Sequence, residues 1–227
     1  MESAACYKPT FKIAVQGGFF GGLETERKGP PDETAPADMN SDKKEETHLL
    51  RLRPGLEREL PMVTLAGTTK RVASFVMLGD VELNEKCAGM LIERFQAEGW
   101  LERFDMLVAL EAKGIALVHE TARQLGHPFF VVVRKMVKKY MTKPLMVPVT
   151  SITSAGEQTL VLDGRDADRI KGHRVCLIED VIATGGSVLA ACDLIQYAGA
   201  EVTVIATVLL KGEFSDPRLV YLQKSSL

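Results

Sequence analysis

The feature that most constrains this chain is a series of short, almost wholly apolar segments separated by helical patterns. Strands that are apolar along their whole length are typical of a parallel sheet covered by helices on both faces. We therefore predict an α/β fold with a mostly parallel sheet. Ligands bind beyond the carboxyl ends of such strands, so functional residues are expected there. The predicted strands cover 106–110, 129–133, 175–178 and 202–210, and the predicted helices cover 81–98, 114–125 and 186–198.

The first of these helices has both a start signal and a buried face. Asp80 is placed to cap its first turn. Gly126 predicts the end of the next helix, because glycine is the usual residue just after the last helical turn. Apolar residues that recur at every fourth position predict one buried side of the helix over 81–98: Leu83, Cys87, Leu91 and Phe95.

Charge and length limit the partners of the chain. Its 227 residues have a formal net charge of -2, so it lacks the excess of Lys and Arg that replaces counterions on nucleic acid. Its longest apolar run, 202–210, is too short to cross a bilayer. We expect neither nucleic acid nor a membrane as a partner.

The N-terminus lacks the basic start and apolar stretch of a signal peptide, so a cytoplasmic protein is expected. The C-terminal Ser225-Ser226-Leu227 is similar to the peroxisomal SKL address but lacks its central basic residue. Four scattered histidines predict no metal site made of protein ligands alone. Four cysteines far apart in sequence are expected to be reduced, mostly core residues: Cys6, Cys87, Cys176 and Cys192.

Residues 1–48 differ in composition from the rest of the chain. A possible short strand over 11–15 is followed by a glycine-rich stretch. Residues 24–46 are rich in proline and charge and poor in large apolar side chains. Such a segment buries too little surface to offset its ordering entropy, so we predict a disordered linker there. One domain is expected over 49–227.

The segment VCLIEDVIATGGS, residues 175–187, joins a strand, an acid pair and a glycine loop. Because the loop opens the next helix, its unpaired N–H groups and the positive helix end suit a phosphate. Its two glycines leave the backbone open to an anion, and its threonine and serine add hydroxyl donors. The predicted phosphate-binding residues are Ala183, Thr184, Gly185, Gly186 and Ser187.

The two carboxylates before the loop need a different partner. Ionised carboxylates only accept hydrogen bonds, so Glu179 and Asp180 suit the hydroxyls of a sugar beside the phosphate. The segment lacks both GxxxxGK[ST] and GxGxxG, which disfavours a Walker loop and a dinucleotide site. Together these residues describe a site for ribose 5-phosphate.

The stretch LIEDVIATGGS resembles the signature of the type I phosphoribosyltransferases, which bind phosphoribosyl pyrophosphate (PRPP). The resemblance extends over roughly residues 60–214. It implies a five-stranded, mostly parallel sheet flanked by helices, with a small N-terminal hood. It also implies a homodimer and a Mg²⁺ ion that is bound through PRPP.

The same resemblance implies a pyrophosphate site. Glu111-Ala112-Lys113-Gly114 follows the strand over 106–110 and is similar to the family's pyrophosphate loop, close to the EARG of the adenine enzymes. Arg134 and Lys135, at the end of the next strand, resemble an RK pair that contacts the same group. The implied pyrophosphate-binding residues are Ala112, Lys113, Gly114, Arg134, Lys135 and Lys138.

Residues 136–156 show no convincing period and correspond to the family's flexible loop, which closes over the active site. Adenine enzymes usually carry YxLEYG there, with a glutamate that assists proton transfer. This chain has TSITSAG over 150–156 and no carboxylate until Glu157. Either Asp180, with Glu179 beside it, acts as the catalytic acid–base group, or the base differs.

Val72-Ala73-Ser74-Phe75 and residues 211–214 resemble base-contacting regions of xanthine phosphoribosyltransferases. We expect Phe75, Ile182 and Lys211 to contact the base. We predict a purine phosphoribosyltransferase of nucleotide salvage, with adenine as the first guess. It would transfer ribose 5-phosphate from PRPP to a free base and release pyrophosphate. Xanthine, hypoxanthine and orotate are alternative acceptors. A PRPP-binding regulator without catalysis is the alternative class, which the missing loop glutamate favours.

Overall fold

Strands and helices alternate along most of the computed structural model, which describes residues 46–65, 67–149 and 158–225. The strands are β1 Thr47–Arg53, β2 Leu56–Thr64, β3 Arg71–Ala73, β4 Met106–Leu110, β5 Val131–Val133, β6 Leu145–Val149, β7 Gln158–Leu162, β8 Arg174–Ile182, β9 Glu201–Lys211 and β10 Leu219–Ser225. The helices are α1 Val81–Ala97, α2 Gly114–Leu125, α3 Gly164–Ile170 and α4 Gly186–Tyr197, with a 3₁₀ turn at Leu101–Arg103.

Five parallel strands form the central sheet, in the order β10-β9-β8-β4-β5. Successive side chains of β4 point to opposite faces, as in any strand. Leu107 and Ala109 belong to one core with residues of α1 and α2, whereas Met106 and Val108 belong to a second core with residues of α4. The predicted α/β fold with a helix-covered, five-stranded parallel sheet is therefore confirmed.

The two helices next to β4 begin and end as their local sequence predicts. The Asp80 carboxylate accepts a hydrogen bond from the Leu83 N–H, and Gly126 ends α2 in the left-handed conformation. The repeated apolar face of α1 is buried along its length: Leu83, Cys87, Leu91 and Phe95.

Two strands differ from the predictions by more than one residue at one end. The strand expected over 129–133 begins only at Val131. The strand expected over 175–178 runs on to Ile182, because its ladder with β9 continues to the pair Ile182–Leu210. The acid pair therefore lies within β8 and not in the loop after it, which gives both carboxylates a fixed backbone.

A three-stranded antiparallel sheet of β1, β2 and β3 precedes the central sheet. Arg58 of β2 donates two hydrogen bonds to Asp80, at 2.7 and 3.1 Å, and so joins this small sheet to the start of α1. The sheet begins at Thr47, two residues before the predicted domain. The predicted short strand, the glycine-rich stretch and nearly all of the linker over 24–46 lie outside the described residues.

The segment expected to lack regular structure contains one arm of a hairpin. β6 pairs antiparallel with β7, from Leu145–Leu162 to Val149–Gln158. Pro148 lies at an exposed position of β6. Proline is uncommon in strands, so the sequence did not indicate one here, but it is tolerated in edge strands. Residues 150–157, which include the departure from YxLEYG, lie outside the described part of the chain.

Cys87, Cys176 and Cys192 are free and buried, as predicted. Burial raises the pKa of Cys87 to about 12, so its thiol stays protonated and unreactive at neutral pH. Within the described ranges, no helix is both long and apolar enough to span a membrane.

Candidate active site

The predicted phosphate loop lies between β8 and α4 at the carboxyl edge of the central sheet. Helix α4 begins at Gly186, and Gly185 precedes it in the left-handed conformation with φ of 78°. None of the described side chains caps this helix start, so its first N–H groups remain available to an anion. Residues 179 and 181–188 line a cavity of about 190 Å³, and Thr184 and Ser187 are exposed beside it.

Asp180 is the most buried acid of the site, with 2 % of its surface exposed. Its backbone carbonyl accepts a hydrogen bond from the Thr207 hydroxyl of β9, at 3.0 Å. Its Oδ2 is buried without a hydrogen-bond partner among the described residues, and Lys113 Nζ lies 3.8 Å from that oxygen. A buried carboxylate oxygen without a partner is costly, so this atom is poised to accept a bond from a ligand.

Glu179 precedes Asp180 and is partly buried. Its Oε1 accepts a hydrogen bond from the Asp180 N–H at 3.1 Å. Burial and the neighbouring Asp180 carboxyl raise the pKa of Glu179 well above its ordinary value. The hydrogen bond from the Asp180 N–H and the charge of Lys135 lower this pKa, but only in part. The protonated form of Glu179 is thereby favoured until a cation or a donor reaches the site.

The predicted pyrophosphate loop follows β4, the neighbour of β8 in the sheet. Ala112 and Lys113 are exposed, and the peptide bond between Glu111 and Ala112 is cis. Gly114 starts α2 so close to β8 that an added Cβ would lie 3.2 Å from both Glu179 Oε1 and Ile178 O. This close approach brings the pyrophosphate loop and the acid pair together.

Glu111 is an organising residue that the sequence analysis missed. Its carboxylate accepts hydrogen bonds from Arg134 Nη1 at 3.1 Å and from the Lys135 N–H at 2.9 Å. It therefore ties the end of β4 to the residues that follow β5. An acid at the end of one strand, opposite a basic residue at the end of another, was the available signal.

The three residues after β5 that were predicted to bind pyrophosphate differ in their surroundings. Arg134 forms an isolated antiparallel bridge with Val161 of β7, which joins it to the hairpin. Lys135 is exposed and acts electrostatically on Glu179. The Lys138 N–H contacts the Met141 sulfur at 3.3 Å, and no described contact joins Lys138 to the acids.

The residues predicted to contact the base are only partly accessible. Phe75 and Ile182 are 3 % and 1 % exposed and pack in the core, so neither offers an open face in this conformation. Lys211 ends β9, and its Nζ donates a hydrogen bond to Ala73 O at 2.6 Å. Burial and the charge of Lys113 lower the pKa of Lys211, while Asp180 opposes that change.

In this α/β protein, the predicted phosphate and pyrophosphate loops lie at the carboxyl ends of the neighbouring parallel strands β8 and β4. The sequence model of the phosphoribosyl transferase domain matches residues 81–220. The chain belongs to this phosphoribosyltransferase family, as the resemblance of its glycine loop implied.

Relatives and solved structures agree with this assignment. "HGPRTase-like protein 3" of Haloterrigena turkmenica is 36 % identical over 174 residues, which are 74 % of this chain and 84 % of the relative. A hypoxanthine/guanine phosphoribosyltransferase of Methanothermobacter thermautotrophicus is 34 % identical over 144 residues, 63 % of this chain and 68 % of the relative. The crystal structure of an adenine phosphoribosyltransferase from Thermoanaerobacter pseudethanolicus has the same fold, with a TM-score of 0.59, 24 % identity and coverage of 73 % of this chain and 95 % of that one.

Proposed function

We propose that the chain transfers ribose 5-phosphate from PRPP to hypoxanthine or guanine and releases pyrophosphate. The observation that carries the proposed reaction is the 3.8 Å distance between Lys113 Nζ and Asp180 Oδ2. It joins the loop suited to the leaving group with the acid suited to the sugar. The pyrophosphate and the ribose of one PRPP molecule would therefore find their partners within a single site.

The 5-phosphate would bind to the backbone N–H groups and hydroxyls of residues 183–187. Hydrogen bonds to a charged acceptor contribute about 1.5–3 kcal/mol each, so several of them hold a phosphate firmly. Glu179 and Asp180 would accept hydrogen bonds from the ribose hydroxyls. The unpaired Asp180 Oδ2 supports this role, because a sugar hydroxyl would supply the bond that it lacks.

Pyrophosphate would bind to the exposed residues Ala112 and Lys113 at the uncapped start of α2. Arg134 and Lys135, which Glu111 positions, would add positive charge beside it. The carboxylates of Glu179 and Asp180 also fit a Mg²⁺ ion that is held mainly by ligand phosphates, since that ion prefers oxygen ligands and few protein carboxylates. Such an ion, when bound, would neutralise charge on the leaving pyrophosphate.

The residues of the chain would supply orientation and electrostatic stabilisation. As pyrophosphate leaves, the ribose gains positive charge, which a carboxylate in a water-poor site stabilises strongly. Asp180 is placed for that role. It is also the group we propose as acceptor of the proton that the purine loses, in place of the glutamate absent from residues 150–156.

The choice of a 6-oxopurine over adenine rests on Lys211 and on the relatives. A charged lysine has three donors and no acceptor, and Lys211 uses one donor on Ala73 O. Its remaining donors can hydrogen-bond to the 6-oxo group of hypoxanthine or guanine, which is an acceptor. They match the 6-amino group of adenine poorly, because that group is itself a donor. Of the two relatives described above, one, at 34 % identity, is named a hypoxanthine/guanine phosphoribosyltransferase, and the other, at 36 %, is named HGPRTase-like.

A panel of bases tests this proposal. The protein would be incubated with PRPP and Mg²⁺ together with hypoxanthine, guanine, xanthine, adenine or orotate, and pyrophosphate release would be measured. We expect release with hypoxanthine and guanine at least about 100-fold faster than with adenine, since a mismatched donor and acceptor pair costs several kcal/mol. Release with adenine alone would contradict the choice of base. PRPP binding without release with any base would instead indicate a regulator.

A further inference from the structure

The loop after β9 approaches the phosphate loop at two points. An added Cβ at Gly212 would lie 3.6 Å from the carbonyl oxygen of Ala183. Closer still, an added Cβ at Gly185 would lie 2.1 and 2.3 Å from Cδ2 and Cε2 of Phe214. The Phe214 ring therefore rests directly on the Gly185 backbone, at the residue that precedes α4.

The ring is held on its other side by the core. Phe214 is partly buried and packs against the core cluster that contains Ile182 and Val188, which flank the phosphate loop. Phe214 lies in the loop between β9, which ends at Lys211, and β10, which begins at Leu219. The ring thus lies between the Gly185 backbone and this core cluster.

Gly185 needs such support because its conformation is poorly determined by itself. It has φ of 78°, and glycine has more conformational freedom to lose than any other residue. A ring seated on its Cα excludes alternative backbone conformations before a ligand arrives. A loop held in its bound shape loses less entropy on binding, and its affinity rises accordingly.

We propose that Phe214 is a positioning residue that keeps the phosphate loop in its anion-binding conformation. This inference rests on the proposed function, because it assumes that residues 183–187 bind the 5-phosphate of the substrate. Phe214 itself would act only through Gly185. The inference also explains why position 185 excludes every side chain, through both its φ and the ring.

Two probes separate the phosphate loop from the rest of the site: ribose 5-phosphate and inorganic pyrophosphate, each titrated by calorimetry with Mg²⁺. In Phe214→Ala, we expect the affinity for ribose 5-phosphate to fall about tenfold, the equivalent of ordering one backbone residue. Affinity for pyrophosphate should stay unchanged. Phe214→Leu should recover part of the loss, because it restores apolar bulk over Gly185.

Tyr197→Ala is the matched control, since Tyr197 is a half-exposed aromatic residue at the end of α4 that lies away from the phosphate loop. Its affinities for both probes should match those of the wild type. If Phe214→Ala folds and binds ribose 5-phosphate as the wild type does, the positioning role is overturned. An equal loss for both probes also overturns it, because that result indicates general damage.

A double-mutant cycle tests the contact itself. Gly185→Ala should weaken ribose 5-phosphate binding strongly, through both the ring and the backbone conformation. In the Phe214→Ala background the same change should cost less, because the collision with the ring is gone. Strict additivity would overturn the contact as the cause. If the wild-type protein binds neither ribose 5-phosphate nor PRPP, the proposed function is overturned. This outcome differs from failure of the positioning role alone, in which the wild type still binds both.

Discussion

At the residue scale, Asp180 is buried, and its Oδ2 has no hydrogen-bond partner in the described ranges, although Lys113 Nζ lies 3.8 Å from it. Asp180→Asn keeps the shape of the side chain and removes its charge. Because no described hydrogen bond to the protein uses Oδ2, the fold should survive this change. The loss of one or two charged hydrogen bonds to the ribose should raise the KM for PRPP about 10–100-fold.

The measurement is steady-state kinetics with PRPP varied, together with a thermal unfolding curve for each protein. Asp193→Asn is a suitable control, since it removes a partly buried carboxylate from α4 about two turns beyond the phosphate loop. Unchanged PRPP kinetics in folded Asp180→Asn would remove this residue from the site.

Glu179 offers a test that depends on pH. Its folded-state pKa lies well above the ordinary value of 4.5, with burial as the main cause. Below pH 4.5 the carboxyl is protonated in both the folded and the unfolded chain. As pH rises above 4.5, the unfolded chain ionises first, so the folded wild type loses stability until its own carboxyl ionises.

Glu179→Gln removes this loss. Its free energy of unfolding should therefore rise relative to the wild type as pH increases from 4.5, by at most about 1.4 kcal/mol per pH unit. Urea unfolding at several pH values between 4.5 and 8 measures the difference. The exposed Glu201→Gln serves as a control that removes a carboxylate away from the acid pair. A constant difference for Glu179→Gln would show that burial does not control this group.

At the element scale, the base of the β6–β7 hairpin is fixed by Gly164, the first residue of α3. Its N–H donates to Thr142 O at 2.9 Å, and an added Cβ would lie 2.9 Å from Lys143 O and even closer to Thr142 O. Both obstacles are backbone atoms that cannot rotate away. Gly164→Ala should therefore destabilise the protein by about 1–3 kcal/mol.

Gly89→Ala gives the matched comparison in α1. An added Cβ there meets only Gln124 Oε1 at 3.4 Å, the end of a flexible side chain. Alanine in a helix interior is favoured over glycine, so this variant should gain about 0.5–1 kcal/mol. Urea unfolding of both variants decides the point, and equal effects of the two substitutions would refute the proposed crowding at Gly164.

The elements that the sequence predicted are those with local signals. The Asp80 cap, the apolar face of α1 and the glycine at the end of α2 each depend on residues within a few positions. The small sheet of β1–β3, the hairpin and β10 were not predicted from the local pattern. Their stability comes from pairing with distant strands, which a local pattern does not reveal.

The candidate site divides in the same way. The strand, acid pair and TGGS loop are contiguous, so the sequence predicted them together. The approach of Lys113 to Asp180 depends on β4 pairing with β8, about 70 residues later in the chain. The contact between Phe214 and Gly185 and the bonds from Glu111 to the end of β5 likewise join distant segments. Geometry of this kind follows from the topology of the sheet.

At the scale of the whole molecule, the proposed ligand spans two loops on neighbouring strands. Residues 112–114 would hold its pyrophosphate, and residues 183–187 its 5-phosphate. A single molecule that contacts both loops loses translational and rotational freedom once, whereas two fragments lose it twice. PRPP should therefore stabilise the folded chain more than ribose 5-phosphate and pyrophosphate added together at the same concentration.

Thermal unfolding with Mg²⁺ measures this difference. Free ligand at 100 times its Kd adds about 2.7 kcal/mol of stability, which for a chain of this size raises Tm by roughly 5–10 °C. The mixture of fragments should produce a clearly smaller rise at matched concentration. Asp180 lies between the two loops. Asp180→Asn should therefore reduce the rise in Tm caused by PRPP more than the rise caused by pyrophosphate. If PRPP and the mixture raise Tm equally, the two loops do not bind one ligand, and the assignment of both to a single site is wrong.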